Sequence, residues 1–101
     1  MTAASKRHLA VASEKLGHLL MSGVPILAAL DVTTEECPDK AVAKALRQMH
    51  TRAASRETLM PKAGSPFPRS VQLLLRAGET NGHLDQCCLR IAQVLRAELC
   101  S

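Results

Sequence analysis

An all-α fold, a six-helix bundle around a single core, is what the sequence predicts, and three observations carry it. Leu and Ala supply fifteen residues each of the 101, and both are strong helix formers. Phe67 is the one aromatic residue and Trp and Tyr are absent, while the β-branched residues are too scattered to build the pleated, half-buried runs of a sheet. Apolar residues recur at spacings of three and four between Gly and Pro marks, which is the period of helices that turn one face to a core. A chain of this length with 47% apolar residues serves one core and no second lobe.

The elements follow in order. From Ser5 to Ser22, Leu9, Leu16, Leu19 and Leu20 share one side of a helix, with Lys6, Glu14 and Lys15 elsewhere. Gly23 supplies its left-handed cap and Pro25 the preset first position of the next helix. That second helix, to about Glu35, is expected to bury Ile26, Leu27, Leu30 and Val32 and to end in Thr33, Thr34, Glu35 and Glu36. Pro38 restarts the chain in the same way. Val42, Ala45, Leu46 and Met49 then make the stripe of a third helix to Ala54, with Lys40, Lys44, Arg47 and Arg52 on a solvated opposite face. Pro61, Gly64, Pro66 and Pro68 leave room only for a short fourth helix over 57–62. A fifth opens at Pro68, with Val71, Leu74, Leu75 and Gly78 on one face, Gly78 permitting close helix contact. After a stop and turn at Asn81-Gly82, the sixth carries Leu84, Cys88, Ile91, Leu95 and Leu99 as the strongest stripe. Residues 1–7 are expected as a flexible N-terminal segment, 8–99 as the domain and 100–101 as its C-terminal end.

Charge and composition narrow the function classes. Thirteen Lys and Arg against nine Asp and Glu give a formal +4, a mild bias toward anionic partners. The basic residues are spread out, Lys6-Arg7 being the only adjacent pair, and no aromatic platform exists for stacking bases. The longest apolar run, 24–30, contains Pro25 and falls far short of the roughly 18 residues a membrane span needs. The apolar stretch after Lys6-Arg7 ends at Ser13-Glu14, too short for a signal-peptide core, so the chain is expected to face a cytosol. Cys37, Cys87, Cys88 and Cys100 show no paired spacing and read as free thiols.

Two segments together resemble the type II secretion system F domain, found in general secretion pathway protein F and in the PilC platform proteins of type IV pili. The first is Leu16-x-x-Leu19-Leu20-x-x-Gly23-x-Pro25-x-Leu27-x-x-Leu30, similar to the family's Leu-rich helix, Gly-x-Pro turn and second apolar helix. The second is Phe67-Pro68 followed by Ala77-Gly78-Glu79-Thr80-Asn81-Gly82-His83-Leu84-Asp85, similar to the family's Phe-Pro and Ala-Gly-Glu-x-x-Gly-x-Leu-Asp. The resemblance covers about residues 8–99. One departure is 54–61, where the family usually carries Gly-x-Ser-Leu-x-x-Ala, so the fourth helix is expected to be short or displaced. Full-length members carry two such domains and transmembrane helices, whereas these residues hold one domain and no span.

The resemblance implies a non-enzymatic scaffold at the cytoplasmic face of the bacterial inner membrane, part of the platform that couples an assembly ATPase to pseudopilus or pilus growth. The implied partners are that ATPase, other inner-membrane platform components and further copies of the chain, with no nucleic acid and no cofactor. The alternative is a small basic helical DNA-binding module with a turn at Met21-Ser22-Gly23. Against it, the helix from Pro25 holds no Lys or Arg and ends in acids, the reverse of what phosphate contacts require.

Candidate sites are few. His83 and Cys87 stand four apart and would make half a zinc site, but adjacent Cys87-Cys88 do not converge on one ion and Cys88 belongs to the core stripe. Glu79 and Asp85 flank the Asn81-Gly82 turn and offer oxygens to a hard cation. The competing structural reading has Asp85 offsetting the helix dipole and Glu79 bonding Arg76 or turn amides. Two carboxylates, an amide and an imidazole crowd into seven residues, more than capping needs. Glu79, Asn81, His83 and Asp85 are therefore the expected interaction residues.

Overall fold

The computed structural model describes residues 1–59 and 66–100. Among them are five helices, α1 (Ala3–Met21), α2 (Ile26–Glu36), α3 (Lys40–Ala54), α4 (Arg69–Asn81) and α5 (Leu84–Cys100), and no strand. The all-α class holds, and the count is five where the sequence predicts six. Of the expected short helix over 57–62, Glu57, Thr58 and Leu59 are not helical, and 60–62 lie outside the described residues. The physical reason is local. Arg56 turns left-handed at φ 59°, and the Leu59 N–H is held by the Glu79 side chain instead of a carbonyl one turn back.

The caps explain where the helices begin and end. α1 starts at Ala3, inside the segment expected to precede the domain, because the Thr2 hydroxyl accepts from the Ser5 N–H at 3.1 Å. It ends in a paired left-handed stop: Val24 N–H reaches Leu19 carbonyl and Gly23 N–H reaches Leu20 carbonyl, both at 3.0 Å, with Gly23 at φ 91°. Asp39 caps α3, its Oδ1 accepting from Val42 N–H at 3.0 Å and its Oδ2 from the Ser5 hydroxyl at 3.0 Å. One carboxylate thereby joins the starts of α3 and α1.

α1 lies between the α2–α3 hairpin and α5, and α4 covers the other side of α5. A helix with neighbours on two sides must bury more than one stripe, so Ala10, Ala12, Ser13 and Gly17 join Leu9 and Leu16 in the interior, while Leu19 and Leu20 are only half-buried. Leu30, Val42, Val71, Ile91 and Leu95 fill the centre, and Leu59 and Phe67 close it from the α3–α4 connection. α2 differs from expectation. Ala29, Leu30 and Thr33 face inward, Ile26 is half-buried, and Leu27 and Val32 are exposed at 36% and 38%. Thr33 is tolerated in the core because its hydroxyl donates to the Ala29 carbonyl at 2.7 Å. Leu74 and Leu99 likewise sit half-buried.

Candidate functional site

The turn between α4 and α5 is built by its small residues. A Cβ added at Gly78 would stand 3.0 Å from the Cα of Leu84 and 3.0 Å from the Cβ of Cys87, so only glycine lets the two helices meet there. Gly82 takes φ 75°, and His83 N–H donates both to the Gly78 carbonyl at 3.1 Å and to Asn81 Oδ1 at 3.1 Å. The Asn81 side chain thus mimics a backbone acceptor two residues ahead. Asp85 lies in the first turn of α5, where its charge offsets the helix dipole, and its Oδ1 accepts from the Gln86 N–H at 2.9 Å. Asn81 and His83 are exposed, and Glu79 and Asp85 are half-buried.

Glu79 has a role that its sequence neighbours do not announce. The Leu59 N–H, twenty positions earlier, donates to both of its carboxylate oxygens at 3.0 and 2.9 Å. Arg52 holds the same connection from α3: its Nε donates to the Thr58 carbonyl at 2.6 Å and its guanidinium pairs with Glu57 at 3.1 Å. Arg52 is therefore no member of a merely solvated face, and Glu79 reaches beyond its own turn to the α3–α4 connection. The two residues pin 57–59 against the bundle and carry Leu59 into the core. Periodicity could not reveal this, since it is silent on contacts that a loop makes across twenty residues.

The remaining chemistry is sparse. Among the described residues no three His, Cys, Asp or Glu side chains gather to hold a metal. Glu79 and Asp85 each lean on a backbone N–H, Cys87 lies against Gly78, and His83 turns outward. All four cysteines are unpaired. Burial, with smaller contributions from Cys87 and Asp85, pushes the Cys88 thiol up to about 12. Two shallow grooves, of about 350 and 360 Å³, cross the surface. The first runs beside α1 and is lined by Glu14, already paired with Arg96, and by Lys15, paired with Glu36. The second runs between α2 and α3, where Asp31 pairs with His50 at 3.2 Å. Neither assembles a nucleophile with a base. α2, the helix a DNA-binding reading would send to the groove, exposes Asp31, Glu35 and Glu36 and offers phosphates nothing.

No helix among the described residues is long and apolar enough to cross a membrane. No curated protein and no solved structure gives a significant match to the chain. The family model of the type II secretion system protein F does match it, over residues 12–99, a span that takes in the Gly23–Pro25 turn, the buried Phe67 with Pro68, and the Gly78–Asp85 turn. The chain belongs to the type II secretion system protein F family, a family of structural platform proteins.

Proposed function

We propose that this domain is a non-enzymatic docking scaffold of an inner-membrane platform, serving type II secretion or type IV pilus assembly, and that it couples the assembly ATPase to pseudopilus or pilus growth from the cytoplasmic side. The observation that carries the reading is the family match over 12–99, in company with a turn whose polar groups exceed its structural needs. Gly82 and one acceptor suffice to close the α4–α5 connection, yet Asn81 and His83 stand exposed beside Asp85. These three form the docking face, and Glu79 supports it from beneath by fixing the neighbouring 57–59 connection. Further copies of the chain are partners alongside the ATPase and other platform components.

The test is direct binding. Titration of the chain with an assembly ATPase of the secretion or pilus type should give saturable binding, and a His83→Ala, Asn81→Ala chain should lose about tenfold or more of that affinity while its melt falls only by the small amount that one exposed turn hydrogen bond supplies. Binding unaffected by the double substitution contradicts the docking face, and absence of any binding to the ATPase contradicts the coupling role.

A further inference from the structure

Two helices that share no contact within the chain, α2 and α4, carry outward faces that both expose aliphatic side chains and bear opposite charge. On α2 the outward face is Leu27, Ala28, Asp31, Val32 and Glu35, in which the leucine and valine are exposed at 36% and 38%. On α4 it is Arg69, Leu73, Arg76, Ala77 and Thr80, and Leu73 is exposed at 51%. Leu27 and Val32 stand among acids on α2, and Leu73 stands among bases on α4. Among the described residues, neither Glu35 nor Arg69 has an ion-pair partner. An exposed aliphatic residue flanked by an unpaired charge gains both apolar burial and electrostatic steering when it meets its complement.

We infer that the α2 face of one copy docks on the α4 face of a second copy. The contact joins different surfaces of the two copies, so it closes a two-fold, isologous pair if both α2–α4 contacts form together and is heterologous, extending a row or ring, if only one does. Charge complementarity names the second copy as occupant: the acidic face asks for a basic, leucine-bearing helix, and α4 is one. This contact rests on the self-association included in the proposed function and assigns it a surface. It lies apart from the ATPase-binding turn at Asn81–Asp85.

Sedimentation of the chain at about 0.1 mM and low salt, the range in which weak specific contacts populate, should show self-association that weakens as salt screens the faces. Glu35→Arg and Arg69→Glu should each weaken it about tenfold or more. Both positions are exposed, so both variants should melt like the parent. An equimolar mixture of the two variants should associate again, because the basic α2 of the first meets the acidic α4 of the second and the remaining two faces match as before. Leu73→Ser should weaken association without changing its salt dependence. A chain that sediments as a monomer under these conditions overturns the inference. So does association that persists in both charge variants, or a mixture that fails to restore it. Binding of the ATPase by the monomeric variants would leave the docking role intact, which keeps the two claims separable.

Discussion

Glu79, Asp39 and Cys88 each do something that follows from the groups within hydrogen-bonding or packing reach. With both carboxylate oxygens on the Leu59 N–H, Glu79 anchors a loop whose leucine is core, so Glu79→Ala should cost about 1–3 kcal/mol, the scale of a charge-assisted hydrogen bond with its donor left unmet. Glu79→Gln should recover part of that loss, and chemical denaturation of the three chains measures it. Asp39 is a different case, legible in the sequence as an acid just before a helical stripe. The Val42 N–H, helped by the Ser5 hydroxyl and opposed by burial, holds its carboxyl below the usual value. A depressed folded-state value means that its contribution is present above the ordinary Asp range near about pH 4 and is lost as pH falls through the folded value. Asp39→Asn should therefore flatten the acid limb of stability against pH, leaving the neutral plateau's slope unchanged. Cys88 is buried with its thiol raised to about 12, whereas Cys100 is exposed. Timed alkylation read by mass spectrometry should modify Cys100 in the native chain and leave Cys88 until the chain unfolds.

At the scale of elements, the helices were readable from the sequence where one stripe meets one neighbour. α3 ends at Ala54 as its apolar period indicates, and Gly23, Gly82 and Pro68 mark their boundaries for the conformational reasons that favour those residues there. Reading failed where a helix has several neighbours or none. α1 buries Gly17 because α5 approaches so closely that a Cβ there would stand 3.0 Å from the Asp85 carbonyl, and buries Ser5 where its hydroxyl meets Asp39 at the start of α3. α2 leaves Leu27 and Val32 outside because only its Ala29–Thr33 side meets α1 and α3. The missing helix at 57–59 is a third instance: Arg52 and Glu79 supply the hydrogen bonds that a helical turn would have supplied internally. Gly78 is the element-scale residue with the sharpest consequence. Its opposing atoms are a backbone Cα and a Cβ, which have no flexible end to yield, so Gly78→Ala should push α4 from α5 and cost about 1–3 kcal/mol. A thermal melt within experimental error of the parent would show that the two helices have slack at this crossing.

The molecule is a small bundle whose described interior is mostly aliphatic, with Phe67, Met49, Cys88, Ser5, Ser13 and Thr33 among it, and whose charged groups are gathered on surfaces. Its family was legible because two turns, Gly23–Pro25 and Gly78–Asp85, need particular residues for backbone reasons and so leave a spaced signature that packing alone does not. The residues proposed for docking were legible only as a surplus. Asn81, His83 and Asp85 could be picked out by chemistry, but the division of labour between them and Glu79 depends on a contact across twenty residues. The central proposal is that Asn81, His83 and Asp85 bind while Glu79 supports them. Calorimetric titration of the assembly ATPase into the parent chain, into His83→Ala, Asn81→Ala and into Glu79→Gln tests it most directly when paired with melting curves. The double substitution should lose about tenfold or more in affinity with only the small drop in melt that one exposed turn hydrogen bond supplies, while Glu79→Gln loses stability first. Equal affinity for all three chains would contradict it.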